Sequence, residues 1–330
     1  MTKTALCIGV SNYQDTKTKN LPACINDANS VANILKKNYD NTPNFEITTF
    51  ITNDNTTKIA IEEEIEKLFN SESDSVLLYF SGHGYIDDEL DGYLCSNDFN
   101  INYCVGVSMK NIIELANKSN IKDINIVLDC CHAGNMGDYQ GIANIKKGIS
   151  ILASSRDTES SMATEEISLF TNLFVNALDG FASDILGNTS MAYIYAFIDK
   201  SLLNMQQRPI FKTHTSRFIP LRISEPKIEK NTFKFLQRID ELFITKDIKF
   251  KLDNTFEPDK EAVKRELNIE NPTINKAHEK TFGFLQELVK VNIIKPSNYK
   301  HMYYEAIKHG ACELTKHGKI YWQLAKDNKI

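Results

Sequence analysis

Across residues 1–224, apolar positions fall in blocks whose spacing switches between that of a buried strand and that of an amphipathic helix. Ala5–Val10 is a continuous apolar run closing on Gly9 and a turn. From Ala23 to Lys37 the spacing is helical, with Ile25, Ala28, Val31, Ala32 and Leu35 on one face. Phe45–Ile51 carries a strand pattern, and Ile59, Ile61, Ile65, Leu68 and Phe69 line a second helix with acids on its outer side. Ser75–Phe80 (SVLLYF) is uninterrupted and apolar, as expected of a strand covered on both faces. Met109–Ala116 reads as helix, and Ile124–Leu128 (INIVL) and Ile149–Ala153 as buried strands. Helical patterns follow at Ser168–Leu178 and Met191–Leu203, then a last short strand near Phe218–Leu221. This alternation predicts an α/β sandwich around a mainly parallel sheet.

After Pro226 the pattern turns mostly helical. Phe233, Leu236, Ile239, Leu242 and Phe243 form an apolar stripe, Pro258 and Pro272 punctuate the middle, and Phe282–Val291 and Tyr303–Ile307 read as helices. A short strand at Ala311–Leu314 precedes Thr315, which caps a final helix through Tyr321, Trp322 and Leu324. Helix, helix, strand and an E-L-T-x-x-G-K turn predict a small winged-helix-type module. Charge shifts at the same place: 20 basic and 16 acidic residues from Glu225 onward, 18 and 27 before it. The expected division is therefore 1–224 and 225–330.

Composition adds exclusions. With 42% hydrophobic residues and few Pro and Gly, the chain can bury a full core. No apolar run is long enough to span a bilayer, and the opening MTKTALCIGVSNY lacks the layout of a secretory leader. A cytoplasmic protein is expected. Seven irregularly spaced cysteines without a CxxC pair fit thiols in a reducing compartment better than disulfides or a zinc site.

Two apolar strands end in chemistry. SVLLYF runs into Ser81-Gly82-His83-Gly84, and INIVL into Asp129-Cys130-Cys131-His132-Ala133-Gly134, so that Cys131 follows His83 by 48 positions. Functional loops of open α/β sheets lie beyond the carboxyl ends of strands. A cysteine nucleophile needs a base to generate its thiolate, and backbone N–H donors aimed at the developing oxyanion. Cys131 and His83 supply the pair, and the amides of Gly84 and Cys131 are the candidate oxyanion donors. Alone, either box could be a tight turn or a small buried hydrophobe. Together their order and separation are those of a Cys–His peptidase.

YFSGHG followed by LDCCHAG resembles the caspase superfamily, and more closely its metacaspase and bacterial branches, whose members carry an S-G-H-G box and a D-x-C-x-[SA]-G box. ALCIGVSNY, LPACINDANSV and ISILASS (Ile149–Ser155) resemble the family too, and the likeness covers roughly residues 4–222. The resemblance implies a caspase-like fold and an endopeptidase with Cys131 as nucleophile and His83 as its base. It also implies a pocket for the side chain before the scissile bond, built from Cys24, Asp27, Ser81 and Asp129. Two carboxylates there would favour arginine or lysine through charge-assisted hydrogen bonds; alternatively Asp27 merely caps its helix.

Further expectations follow from the resemblance. Calcium is a possible cofactor through Asp87, Asp88, Glu89, Asp91 and Asp98, although a solvated acidic loop explains them as well. Otherwise no cofactor is required. Self-processing would fall at Lys146, Lys147 or Arg156. The bacterial branch implies a regulated effector of cell death or defence acting on a protein substrate. Residues 225–330 would dock a regulatory protein. From Lys290 on, eight basic and three acidic residues keep nucleic acid as the second choice. A catalytically silent scaffold and a nucleic-acid-binding regulator are the competing readings.

Overall fold

The computed structural model describes residues 1–87, 91–100, 106–130, 145–154, 166–202, 208–273 and 275–330. The chain divides into two units, Met1–Glu225 and Pro226–Ile330.

The first unit contains strands β1 (Lys3–Gly9), β2 (Glu46–Phe50), β3 (Ser75–Ser81), β4 (Gly84–Ile86), β5 (Gly92–Leu94), β6 (Val107–Ser108), β7 (Asp123–Asp129), β8 (Ile149–Ala153), β9 (Asn188–Thr189), β10 (Ile210–His214) and β11 (Arg222–Ile223). Its helices are α1 (Ala23–Leu35), α2 (Lys58–Phe69), α3 (Met109–Lys118), α4 (Leu169–Asn176) and α5 (Met191–Ser201). Six strands form the central sheet in the order β10-β8-β7-β3-β1-β2. All neighbours pair in parallel except β10, which runs antiparallel to β8. The sixth strand is thus Ile210–His214 rather than Phe218–Leu221. That stretch is irregular, and its Phe218 packs against the core beside Phe211.

Strand alternation sends each face to its own helices. Leu6, Ile8, Leu78, Phe80, Ile126 and Leu128 pack with Ile61 and Ile65 of α2 and Ile112 and Ile113 of α3. On the opposite face Cys7, Leu77, Tyr79 and Val127 pack with Val31 of α1, Phe174 of α4 and Ile194 of α5. Ile59, expected to line the buried face of α2, is exposed because it stands two positions, about 200° of helical turn, before the buried Ile61. A short three-stranded sheet, β4-β5-β6, follows β3 directly.

The second unit contains α6 (Lys230–Leu236), α7 (Ile239–Leu242), β12 (Lys249–Lys251), α8 (Lys260–Leu267), α9 (Lys276–Lys290), β13 (Ile294–Pro296), α10 (Met302–Ile307), β14 (Ala311–Leu314) and α11 (Lys316–Lys326). Its strands form an antiparallel sheet in the order β12-β14-β13. The strand β14 lies between β12 and β13 in this sheet, and α10 is inserted between β13 and β14. Thr315 caps α11 by accepting from the Gly318 amide at 2.9 Å. Among the described residues no helix is long and apolar enough to cross a membrane.

Candidate active site

The register aligns Gly9 of β1, Ser81 of β3 and Asp129 of β7 across the carboxyl end of the sheet. Val10 N donates to the Ser81 carbonyl at 2.9 Å and Gly82 N to the Asp129 carbonyl at 3.3 Å, so the three strand ends are stitched together. Helix α1 sits close over this edge. A Cβ on Gly9 would lie 2.2 Å from the Cys24 carbonyl oxygen, which leaves glycine as the one residue that lets the helix approach. This approach brings the buried Cys24 and Asp27, one turn apart, to the end of β3.

His83 lies two residues past β3 and is held from several sides. Its amide donates to Tyr13 Oη at 2.9 Å, the Tyr13 and His83 rings stand 5.0 Å apart, and its Nε2 lies 2.7 Å from the Lys19 carbonyl oxygen. A carbonyl only accepts, so Nε2 carries the proton, and Nδ1 is the nitrogen through which the ring gains or loses one. Tyr13 in turn donates to the Val10 carbonyl at 3.0 Å. Burial, with Cys24 nearby, pushes its hydroxyl well above the usual phenol range, so it stays protonated and able to donate. A Cβ on Gly82 would meet the Phe80 ring at 2.7 Å, which keeps the turn tight.

On the other side of the strand ends lies a buried polar network. Asp27 Oδ2 accepts from Ser81 Oγ at 2.7 Å, and Asp27 Oδ1 from the Ser168 amide at 2.8 Å. Asp129 Oδ1 accepts from Ser154 Oγ at 3.2 Å. Asp129 Oδ2 accepts from Thr171 Oγ1 at 2.8 Å and from Ser168 Oγ. Thr171 Oγ1 spends its one proton on Asp129, so Tyr79 Oη, its other partner, must be the donor between them. Burial raises the Tyr79 hydroxyl well above the ordinary range, and the charges of Asp129 and Asp27 add to the effect. Asp27 is 1% exposed and Asp129 0%.

Thus Asp27, Ser81 and Asp129 share one network, with Cys24 a turn away on the same helix face. Gly84 opens β4, opposite Leu94. Cys131, Arg156, Asp88 and Glu89 lie outside the described residues. Lys146 donates from Nζ to the Ser119 carbonyl, and its neighbour Lys147 is exposed. Of the acids considered for calcium, Asp87 accepts from the Asp91 amide at 2.8 Å and from Tyr93 Oη at 3.1 Å. Asp98 accepts from the Lys58 amide at the start of α2 at 2.8 Å. These described acids serve a hairpin turn and a helix end, and no group of three His, Cys, Asp or Glu side chains suited to a metal exists among the described residues. Among the other thiols, burial pushes Cys7 and Cys312 up to about 12, which keeps them protonated and poor nucleophiles at neutral pH.

Sequence reasoning missed Tyr13, the Lys19 carbonyl, Ser154, Ser168 and Thr171. Tyr13 ends ALCIGVSNY, and Ser168 stands where a helix start was expected. The carbonyl leaves no trace in residue type.

The comparisons bear on the whole first unit. No curated protein matches the chain. A crystal structure of a Geobacter sulfurreducens protein aligns over 68% of this chain and 98% of its own, at 18% identity and a TM-score of 0.51, which is a likeness of fold. The caspase-1 of Spodoptera frugiperda aligns over 68% and 90%, at 16% identity and a TM-score of 0.48. A family model of the caspase domain matches residues 2–218, nearly the whole unit that carries the His83 turn and the buried carboxylates, and on that match the chain belongs to the caspase-domain family, peptidase C14.

Proposed function

We propose that the chain is a cysteine endopeptidase cleaving after arginine or lysine, with Cys131 as nucleophile and His83 as the proton carrier. The observation that supports this most is the 2.7 Å contact between His83 Nε2 and the Lys19 carbonyl. A carbonyl only accepts, so this contact supports the tautomer a base needs. Nδ1 takes the proton of the Cys131 thiol as the sulfur attacks the carbonyl carbon and the C–S bond forms. The amides of Gly84 and Cys131 meet the oxyanion. His83 then returns the proton to the amine as the C–N bond breaks, and water, deprotonated by the same ring, hydrolyses the thioester. Asp27, Ser81 and Asp129, with Cys24 beside them, receive the cationic side chain before the scissile bond.

The test is a panel of fluorogenic peptides differing only at that residue, offered to the wild type, Cys131→Ala and His83→Ala. Arginine and lysine peptides should be cleaved, Cys131→Ala should be silent, and His83→Ala should be slower by about 10²–10⁴-fold. Cleavage that survives in Cys131→Ala removes the nucleophile assignment. Equal cleavage after leucine or aspartate removes the acidic pocket.

A further inference from the structure

The two carboxylates assigned to the substrate cation are already engaged, and one residue reaches both. Ser168, immediately before α4, donates its amide to Asp27 Oδ1 at 2.8 Å and its hydroxyl to Asp129 Oδ2. The same hydroxyl accepts from the Thr171 amide at 3.0 Å as the cap of α4, and Thr171 Oγ1 adds a second donor to Asp129 Oδ2. All of these groups are buried: Ser168 is 3% exposed and Thr171 0%. A substrate cation reaching Asp27 Oδ1 or Asp129 Oδ2 therefore competes with the donors at the first turn of α4.

We propose that Ser168 and Thr171 are specificity-determining residues of the cation pocket, acting as resident donors that the substrate must displace. This rests on the reading of Asp27 and Asp129 as the pocket for arginine or lysine. One serine spans Asp27 Oδ1 and Asp129 Oδ2 with its amide and its hydroxyl, close to the spread of the two terminal nitrogens of a guanidinium. A guanidinium entering there replaces both bonds in kind and adds charge, which makes each of them stronger. A neutral side chain removes the same donors and leaves buried oxygens unsatisfied, so it cannot recover the cost of displacement. The resident serine thus raises the threshold for entry: weak cations and neutral residues stay out, and arginine, with its planar fork, enters best. Because Ser168 is also the helix cap, entry of the cation and release of the α4 start are one event.

The test uses the full chain carrying Cys131→Ala and agmatine as a guanidinium probe, with binding measured by calorimetry. Adding Ser168→Ala removes a displaced bond and should tighten agmatine binding by about tenfold, the worth of one hydrogen bond to a charged group. Ser168→Thr, which keeps the hydroxyl, should restore the parental affinity. Thr171→Val, made together with Tyr79→Phe so that no buried hydroxyl is orphaned, leaves the Ser168 cap in place, should tighten binding several-fold and guards against misfolding of the first variant. In enzyme with Cys131 intact, Ser168→Ala should lower KM for an arginine peptide with kcat little changed. Affinity unchanged or weakened in both Ser168→Ala and Thr171→Val overturns the proposal and leaves Ser168 a helix cap. Asp27→Asn and Asp129→Asn separate the two failures. If they abolish agmatine binding while the hydroxyl variants do nothing, the displacement fails and the pocket stands. If they leave binding untouched, or if agmatine binds no variant, the pocket reading falls as well.

Discussion

Two groups of buried carboxylates in the molecule are held in opposite ways. In the first unit Asp27 and Asp129 accept, among the described donors, from the hydroxyls of Ser81, Ser154, Ser168 and Thr171 and from a single amide. In the second unit Glu305, 0% exposed, accepts from the amides of Asn298, Tyr299 and Ala311 and from the Asn298 side chain. Two of those amides, Asn298 and Tyr299, lie with Glu305 in the segment between β13 and β14, and the third opens β14. Its carboxylate substitutes for the strand partners this segment lacks, and removing it would orphan backbone groups that have nowhere to turn. A hydroxyl rotates and finds another partner. Within these two groups equal burial goes with different donors: backbone amides that depend on the Glu305 carboxylate, and, around Asp27 and Asp129, mainly hydroxyls that can rotate to other partners.

The largest effect expected from breaking this contrast is in catalysis. Asp129→Asn keeps the shape and removes the charge, and should cost about 2–5 kcal/mol of transition-state stabilisation toward arginine peptides, as for other buried charged contacts. Its melting temperature should fall little, since the surrounding hydroxyls re-pair. A large loss of stability with unchanged kcat/KM would place Asp129 with Glu305 as a structural carboxylate. The complementary variant is Glu305→Ala. Each buried amide it leaves unsatisfied should cost about 1–3 kcal/mol of the stability of the second unit. Trp322 is the one tryptophan in the chain, and its buried Nε1 donates to the Phe243 carbonyl at 2.6 Å. Its fluorescence during urea unfolding therefore reports this unit, and an unchanged midpoint would contradict the assignment.

The same distinction explains what the sequence makes legible. Buried parallel strands announce themselves because both faces are apolar, and SVLLYF and INIVL end at the two boxes that matter. The edge strand Ile210–His214 (IFKTH) carries no such signal: only its first half is apolar and the strand lies half open to solvent. Strands β12 and β13 are three residues long, with lysines among them, and no periodicity can emerge from so few positions. Asp27, Ser81 and Asp129 could be nominated through the family resemblance. Ser168 and Thr171 could not, since they arrive 39 and 42 residues after Asp129 in what reads as an ordinary helix start. The Lys19 carbonyl is available from any residue type. Side chains that act by identity are readable, whereas those that act because the fold delivers a common group to a particular oxygen are not.

The smallest expected effect sharpens the comparison by pH. Burial alone would push the Glu305 carboxyl up, but the amides of Asn298, Tyr299 and Ala311 outweigh it and hold the group below its ordinary value of 4.5. A group depressed in the folded state contributes stability that is present above its unfolded value and is lost as pH falls through the folded one. The Trp322 urea midpoint should therefore hold from neutral pH down to about 5 and decline below about 4.5 as this contribution disappears. Glu305→Gln has no carboxyl to titrate, so its midpoint, lower at neutral pH, should decline less steeply and the two curves should converge in acid. Parallel curves would mean that Glu305 does not gain its hold from the charge its amides receive. A locked carboxylate and an exchangeable one would then have to be told apart by something other than their donors.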